Sequence, residues 1–243
     1  MRRFAQAIAT AHALPHGLPE VLSTALVEGP DRYNVAKGKP ALVLAINAKG
    51  QLCVAEMVWG LIPRWSKEPA TPYTTVTARL ERAPKSRIFA QAWKERPCIV
   101  PMTGYYKWDR QRKPPWPRFI QRQDGSALLA AGRWETRDRE EGQVLHSFTL
   151  LTAPNTAIPP PLTQDGPVFL GMAEALRWLR GSLSSPRSLM RHAQHPLLES
   201  YPVSRAIADP SREDYTLLEP VDPDEAAKYP LADDAFEEMD DDD

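Results

Sequence analysis

The sequence predicts an α+β fold in which an antiparallel, barrel-like sheet forms the core and short helices flank it. Three observations lead there. Between residues 97 and 170, short apolar runs recur at regular spacing, separated by turn residues such as Asp124-Gly125 and Glu141-Gly142, as hairpin-linked strands require. The helical patterns are short and stand apart from these runs, without the strand and helix alternation of a parallel sheet. Finally, 25 prolines, clustered in stretches such as KPPWP and AIPPPL, fix φ and remove backbone donors, which excludes long helices.

Residues 4–13 (FAQAIATAHA) and 18–27 (LPEVLSTALV) are rich in alanine and leucine and predict two short helices. KPALVLAIN and LCVAEMVWGLIP follow as strands, joined by the turn residues 47–50, NAKG. Residues 86–95 predict a helix capped by Ser86, with Ile88, Phe89, Ala92 and Trp93 on its core-facing side. Strands are then expected at 97–101, 104–109, 117–123, 127–136, 145–153 and 167–170. A helix over 172–180, stopped by Gly181, comes next. YPVSRAIA (201–208) and YTLLEPV (215–221) close the series as two further strands.

With 243 residues the chain can bury a sizeable core, and one domain over 1–223 with an acidic tail over 224–243 fits its charge distribution. The tail holds ten acids and one base, a net of −9, so the rest carries 29 bases against 21 acids, a net of +8. A basic body suits a polyanionic partner and equally a merely soluble surface. The tail reads as a solvated segment, with Phe236 and Met239 as possible anchors for a protein partner or for a fold-back over a basic groove. Cys53 and Cys98 lie in apolar runs, as reduced, buried thiols do. Without an apolar leader or a run approaching the roughly 20 apolar residues of a membrane span, the expected location is cytoplasmic, with no membrane partner.

The usual catalytic signatures are missing from the sequence. It has no Gly-rich phosphate loop, no cysteine pairs at metal spacing and no nucleophile elbow, so no metal and no cofactor are expected. Instead, aromatic and basic residues share turn-like segments: RYNVAKG (32–38), WGLIPRW (59–65), TARLER (77–82), SRIF (86–89) and GYYKW (104–108). Aromatic faces that stack on bases, interleaved with arginines that meet phosphates, are what a groove for single-stranded nucleic acid needs. The same residues also suit a tryptophan core under a solvated arginine surface. Lys107, inside GYYKW, reads alone as an active-site base, a phosphate contact or a solvated loop residue.

In their order, RFAQ (3–6), NVAKG, WGLIPRW, TARLE, CIVPMTGYYKW (98–108) and PVSRAI (202–207) resemble the SRAP family, the SOS response-associated peptidases. That resemblance covers the chain from its start to about residue 221. It implies a barrel-like core and the recognition of abasic sites in single-stranded DNA, with a cross-link to the sugar aldehyde. In the family a cysteine exposed by loss of the initiator methionine supplies the thiol and α-amine that close a thiazolidine ring.

This chain departs from that pattern at the reacting positions. Arg2 stands in the cysteine place, Thr77 in that of an asparagine, Lys107 in that of a glutamate, and Thr163 and Asp165 in those of a histidine and an arginine. A missing acid–base pair removes steps worth about 10²–10⁴-fold per group. The resemblance therefore implies a catalytically degenerate protein that binds single-stranded or abasic DNA in a DNA-damage context, nucleoid-associated when bound. Arg3, Asn34, Trp65, Arg79, Arg87 and Trp108 are the expected groove residues. Arg79 and Arg87 would hold phosphates, Trp65 and Trp108 would stack on bases, and Asn34 would contact the strand or order the loop beside it. Lys107 would then be a cation attracting phosphate or the tail. Two alternatives stay open: a lyase or peptidase acting through the Met1 amine or Lys107, and an interaction protein working through its acidic tail.

Overall fold

The computed structural model describes residues 1–66, 74–138 and 144–226. In chain order its strands are β1 (Arg3–Gln6), β2 (Arg32–Val35), β3 (Pro40–Ile46), β4 (Leu52–Trp59), β5 (Thr77–Arg79), β6 (Pro97–Met102), β7 (Gly104–Asp109), β8 (Trp116–Arg122), β9 (Leu128–Asp138), β10 (Val144–Pro154), β11 (Asp165–Pro167) and β12 (Leu198–Pro202). The helices are α1 (Glu20–Val27), α2 (Ala90–Glu95), α3 (Met172–Leu179), α4 (Pro186–Arg191) and α5 (Pro223–Ala226).

Strands β4, β3, β6, β9 and β10 form a closed ring. Neighbours run antiparallel around it, except that β10 meets β4 in parallel through Ser147↔Val58 and Phe148↔Trp59. β10 also carries β5 in parallel and β11 antiparallel along its second half. A second antiparallel sheet, in the order β12, β8, β7, β1, β2, lies against the barrel. The expected barrel-like α+β class is what the structure shows. At Gly104 a side chain would lie 2.3 Å from the Ile120 carbonyl oxygen and 2.4 Å from the Phe119 ring, so only glycine lets β7 begin this close to β8.

Alternation along the barrel strands divides the core in two. Val43, Cys98, Val100, Ala130, Phe148 and Leu150 belong to an inner cluster, which Phe4 and Tyr105 of the second sheet join. Phe4 meets Trp59 edge-on at 4.9 Å between ring centroids. The opposite set, including Leu44, Ile99, Leu129 and Ala131, packs under the helices with Phe89, Ala92, Trp93 and Trp178. The core face read for residues 86–95 is therefore the observed one. A small third cluster joins Ala5, Tyr106, Phe119, Val203, Ile207 and Leu217.

Several expected elements take other forms. Residues 4–13 are not a helix: β1 takes 3–6 and a short 3-10 turn takes Ala11–Ala13. Phe4 and Ala5 bury on opposite faces, and the Gln6 amide bonds the backbone of Leu42 and Pro101, so tertiary contacts override the helix propensity of the alanines. The helix over 86–95 begins at Ala90, because Ser86 closes a turn onto Ile88 N–H instead of capping. The strand placed at 167–170 is shifted to 165–167, with Phe169 left in isolated bridges to Ala130 and Gln194.

Segment 201–208 divides into the end of β12 and a 3-10 turn over 205–208, capped by the Ser204 hydroxyl, which accepts from Ala206 N–H. Residues 215–218 are likewise a 3-10 turn, with Leu217 buried and Thr216 bonded to Asp214. β2, β5 and α4 add elements the periodicity did not suggest; α4 is started by Ser185, which accepts from Ser188 N–H, and by Pro186. Among the described residues, no helix is long and apolar enough to cross a membrane. The Glu141-Gly142 turn, Phe236, Met239 and most of the acidic tail lie outside the described residues. Asp224, at the tail's start, pairs with Arg112 at 3.0 Å on the surface.

Candidate functional site

The β1 and β7 registers bring the N-terminus to Lys107. Arg3 lies opposite Tyr106 and Phe4 opposite Tyr105, so Arg2 and Lys107 each stand one residue beyond the last pair of the ladder. Lys107 shares the Tyr105 face of β7, which is turned toward the segment leading into β11. Its side chain is buried, and its ammonium donates hydrogen bonds to the carbonyl oxygens of Thr163, at 2.9 Å, and Asp165, at 2.5 Å. Lys107, Thr163 and Asp165 thus meet at one corner through the Lys107 ammonium.

The chemistry of this corner differs from the expectation for Lys107. A buried ammonium tied to two carbonyls is a clamp on the 163–165 segment, not an exposed cation open to phosphate. Those carbonyl oxygens accept hydrogen bonds and carry no transferable proton. Thr77, half-buried, opens β5 alongside Leu150.

Two residues at this corner carry roles the motifs did not suggest. Asn155, buried, folds the chain back at the end of β10: its side-chain oxygen accepts from Ala157 N–H and lies 3.1 Å from His195 Nδ1, while its N–H donates to Gln164 O. An Asn just after a strand and before a proline-rich loop is an Asx-turn signal that a closer reading could have used. Tyr105 is the other: its ring lies 6.0 Å from Phe169, and its buried hydroxyl has no hydrogen-bond partner among the described residues. Burial holds that phenol far above its ordinary pKa.

The expected groove residues fall into two places. Trp65 is 49% exposed, and the exposed Arg87 guanidinium sits 5.1 Å from its ring centroid. Arg79 is exposed at the end of β5. Trp65, Arg79 and Arg87 are thus presented to solvent. Arg3, Asn34 and Trp108 turn elsewhere. Trp108 is half-buried against the third cluster. Arg3 donates to Ala208 O at 2.8 Å, and burial lowers its pKa against the pull of Asp209.

Asn34 is fully buried and cannot touch a nucleic acid. Its amide donates to the carbonyls of Ile207, Asp209 and Arg212, while Glu213 accepts from the N–H groups of Tyr33 and Asn34. Of the two roles expected for it, the structure gives loop ordering. Replacing it by leucine will strand those buried acceptors and lower stability by about 2–3 kcal/mol in urea unfolding. A loss under about 1 kcal/mol would mean that Glu213 alone holds the loop.

Among the described residues, no group of three His, Cys, Asp or Glu side chains is placed to hold a metal ion.

Residues 3–210 match the family model described as SOS response associated peptidase (SRAP). Among curated proteins, the chain is similar to the abasic site processing protein YoqW of Bacillus subtilis, 27% identical over 191 residues, covering 77% of this chain and 85% of that protein. It is also similar to the abasic site processing protein YedK of Escherichia coli, 27% identical over 194 residues, with 78% and 85% covered. Among solved structures, a Bacteroides thetaiotaomicron protein superposes with a TM-score of 0.68 at 20% identity, covering 90% of this chain and 99% of that one. A phage-related protein of Bordetella bronchiseptica gives 0.62 at 21% identity, with 84% and 95% covered.

Proposed function

The chain belongs to the SOS response associated peptidase family, and from that premise we propose that it binds single-stranded DNA at abasic sites without forming a stable cross-link. The observation that carries this reading is the Lys107 clamp. Where the family resemblance implies a glutamate that moves protons, this protein has a buried ammonium tied to the Thr163 and Asp165 carbonyls. A tie of that kind holds the fold of the site while removing its acid–base function.

Binding would rest on the exposed pair of Trp65 and Arg87, with Arg79 beside them in sequence as a further phosphate contact. An indole face stacks on any base and a guanidinium meets any phosphate, so recognition of this kind is tolerant of sequence and sensitive to salt. Stacking of one base on an aromatic ring is worth about 1–3 kcal/mol.

Fluorescence anisotropy of a labelled single strand carrying one abasic site tests the reading. Saturable binding that exceeds duplex binding, weakens with salt and falls roughly 5- to 100-fold in Trp65→Ala is the expected result. Equal affinity for duplex, or no effect of Trp65→Ala, would sink it. Borohydride added to the same mixture separates the amine reading: a trapped adduct that disappears on acetylating the α-amine would assign Schiff-base chemistry to Met1.

A further inference from the structure

On the helix-covered face of the barrel, β9 alternates Leu129, Ala131, Arg133: a charged residue stands where the period of two calls for an apolar one. Arg133 is 4% exposed. Its guanidinium lies 4.0 Å from the Trp178 ring centroid and 4.5 Å from that of Trp93, wedged between α3 and α2. Among the described residues its Nε has no hydrogen-bond partner, and no carboxylate pairs with it.

The carboxylate nearest to it along β9 and the one in the cleft lining are already engaged. Glu135, two positions along β9, is held by Arg96 and Arg64, and Glu95 pairs with Arg64 and Arg96 and accepts from Gln91. Burying a guanidinium without an anion is strongly unfavourable, and two ring faces offset that only in part. Burial accordingly pulls the pKa of Arg133 down to about 9.

Arg133 does not sit in closed packing. It lines a cleft of about 420 Å³ between α2, α3 and the turn joining β3 and β4. One part of the lining is apolar, from Ile46, Leu52, Leu176 and Leu179, and the rim carries the exposed cations Lys94 and Arg180 together with Glu95, whose carboxylate is already paired with Arg64 and Arg96. A buried, unpaired cation at the wall of an open cleft, with apolar walls and further positive charge at the mouth, is complementary to a small amphipathic anion.

We propose that this cleft binds a small organic anion, its carboxylate or phosphate head paired with Arg133 and its apolar body against Leu52, Leu176 and Leu179. Lys107, Trp65 and Arg87 are not among the residues lining this cleft, so the proposal stands or falls independently of the DNA-binding reading.

Isothermal titration calorimetry of the full chain with hexanoate, hexanol, hexylamine and inorganic phosphate tests the proposal. Hexanoate will bind saturably, and hexanol and hexylamine at least about 10-fold more weakly. Competition by inorganic phosphate would assign recognition to a phosphate head, and its absence to a carboxylate. Arg133→Leu restores the apolar alternation, so it will melt at or above the wild-type temperature while losing hexanoate at least about 10-fold. Leu176→Trp, which fills the cleft and leaves Arg133 in place, will lose it as well. Unchanged hexanoate binding in both variants, or no saturation by about 50 mM in the wild type, would overturn the proposal.

Discussion

Arg2→Cys protein, expressed so that the initiator methionine is removed, will form an adduct with an abasic single strand that survives denaturing electrophoresis, whereas the wild type forms none. The reason lies in register. Positions 2 and 107 each lie one residue beyond the Arg3↔Tyr106 pair, and the family resemblance implies that a thiol and an α-amine at position 2 meet the sugar aldehyde. Sulfur attack on the imine carbon closes a ring that water reverses slowly, while an imine alone hydrolyses readily.

Adding Lys107→Glu supplies the missing proton-transfer group and should raise the rate of adduct formation by about 100-fold or more. It also sets a carboxylate against the two carbonyl oxygens that the ammonium now holds, at an expected stability loss of about 1–3 kcal/mol. Lys107→Gln, whose amide still donates, separates the two effects, because it keeps much of the stability and gains none of the rate. The readouts are mass spectrometry for methionine removal, gel shift for the adduct and urea unfolding for stability. A processed Arg2→Cys protein that binds the strand and yields no adduct would show that the corner no longer presents the aldehyde to position 2.

Glu135→Ala is expected to lower stability by about 3–5 kcal/mol, because it removes the anion of a buried ion pair. Glu135 is 2% exposed and gathers Arg96, Arg64 and the Thr136 N–H. Removing it leaves Arg96, whose side chain is 18% exposed, over the Trp134 ring without its main anion. The urea midpoint should fall by on the order of 1 M or more, taking a slope near the top of the usual range for a chain of this size. A loss below about 1 kcal/mol would mean that Glu95, 46% exposed at its side chain, takes over both arginines.

The sheet was legible in the sequence because short apolar runs bounded by turn residues mark strands buried on both faces. CIVPM and ALVLAI are such runs, and the NAKG turn has both the Asn47 side chain accepting from Lys49 and Gln51 N–H and Gly50 at positive φ. Residues 4–13 were not legible, since alanine-rich composition favours a helix and the strand is imposed by Gln6 reading the backbone of two distant strands. Closure of the barrel is invisible for the same reason: the β10 to β4 pairing joins Ser147 to Val58, far apart in the chain, and leaves no local mark. At the candidate site, motif order located Lys107 and Thr163 together. It could not reveal that the ammonium is buried, because exposure depends on where the 163–165 segment lies. Arg133 belongs to none of the motifs; the only local mark it leaves is a charge on the face of β9 that Leu129 and Ala131 bury.

β10 is the seam of the molecule, touching β9, β4, β5 and β11. During synthesis this has a cost in time. Until residues 144–154 have left the ribosome, the nascent chain carries β4 and β9 as open edges, and the second sheet lacks β12 until residue 202 has emerged. The first 154 of the 243 residues must therefore be made before the barrel can close, and translation that stalls before β10 is made would release a product with exposed strands primed to pair with other chains.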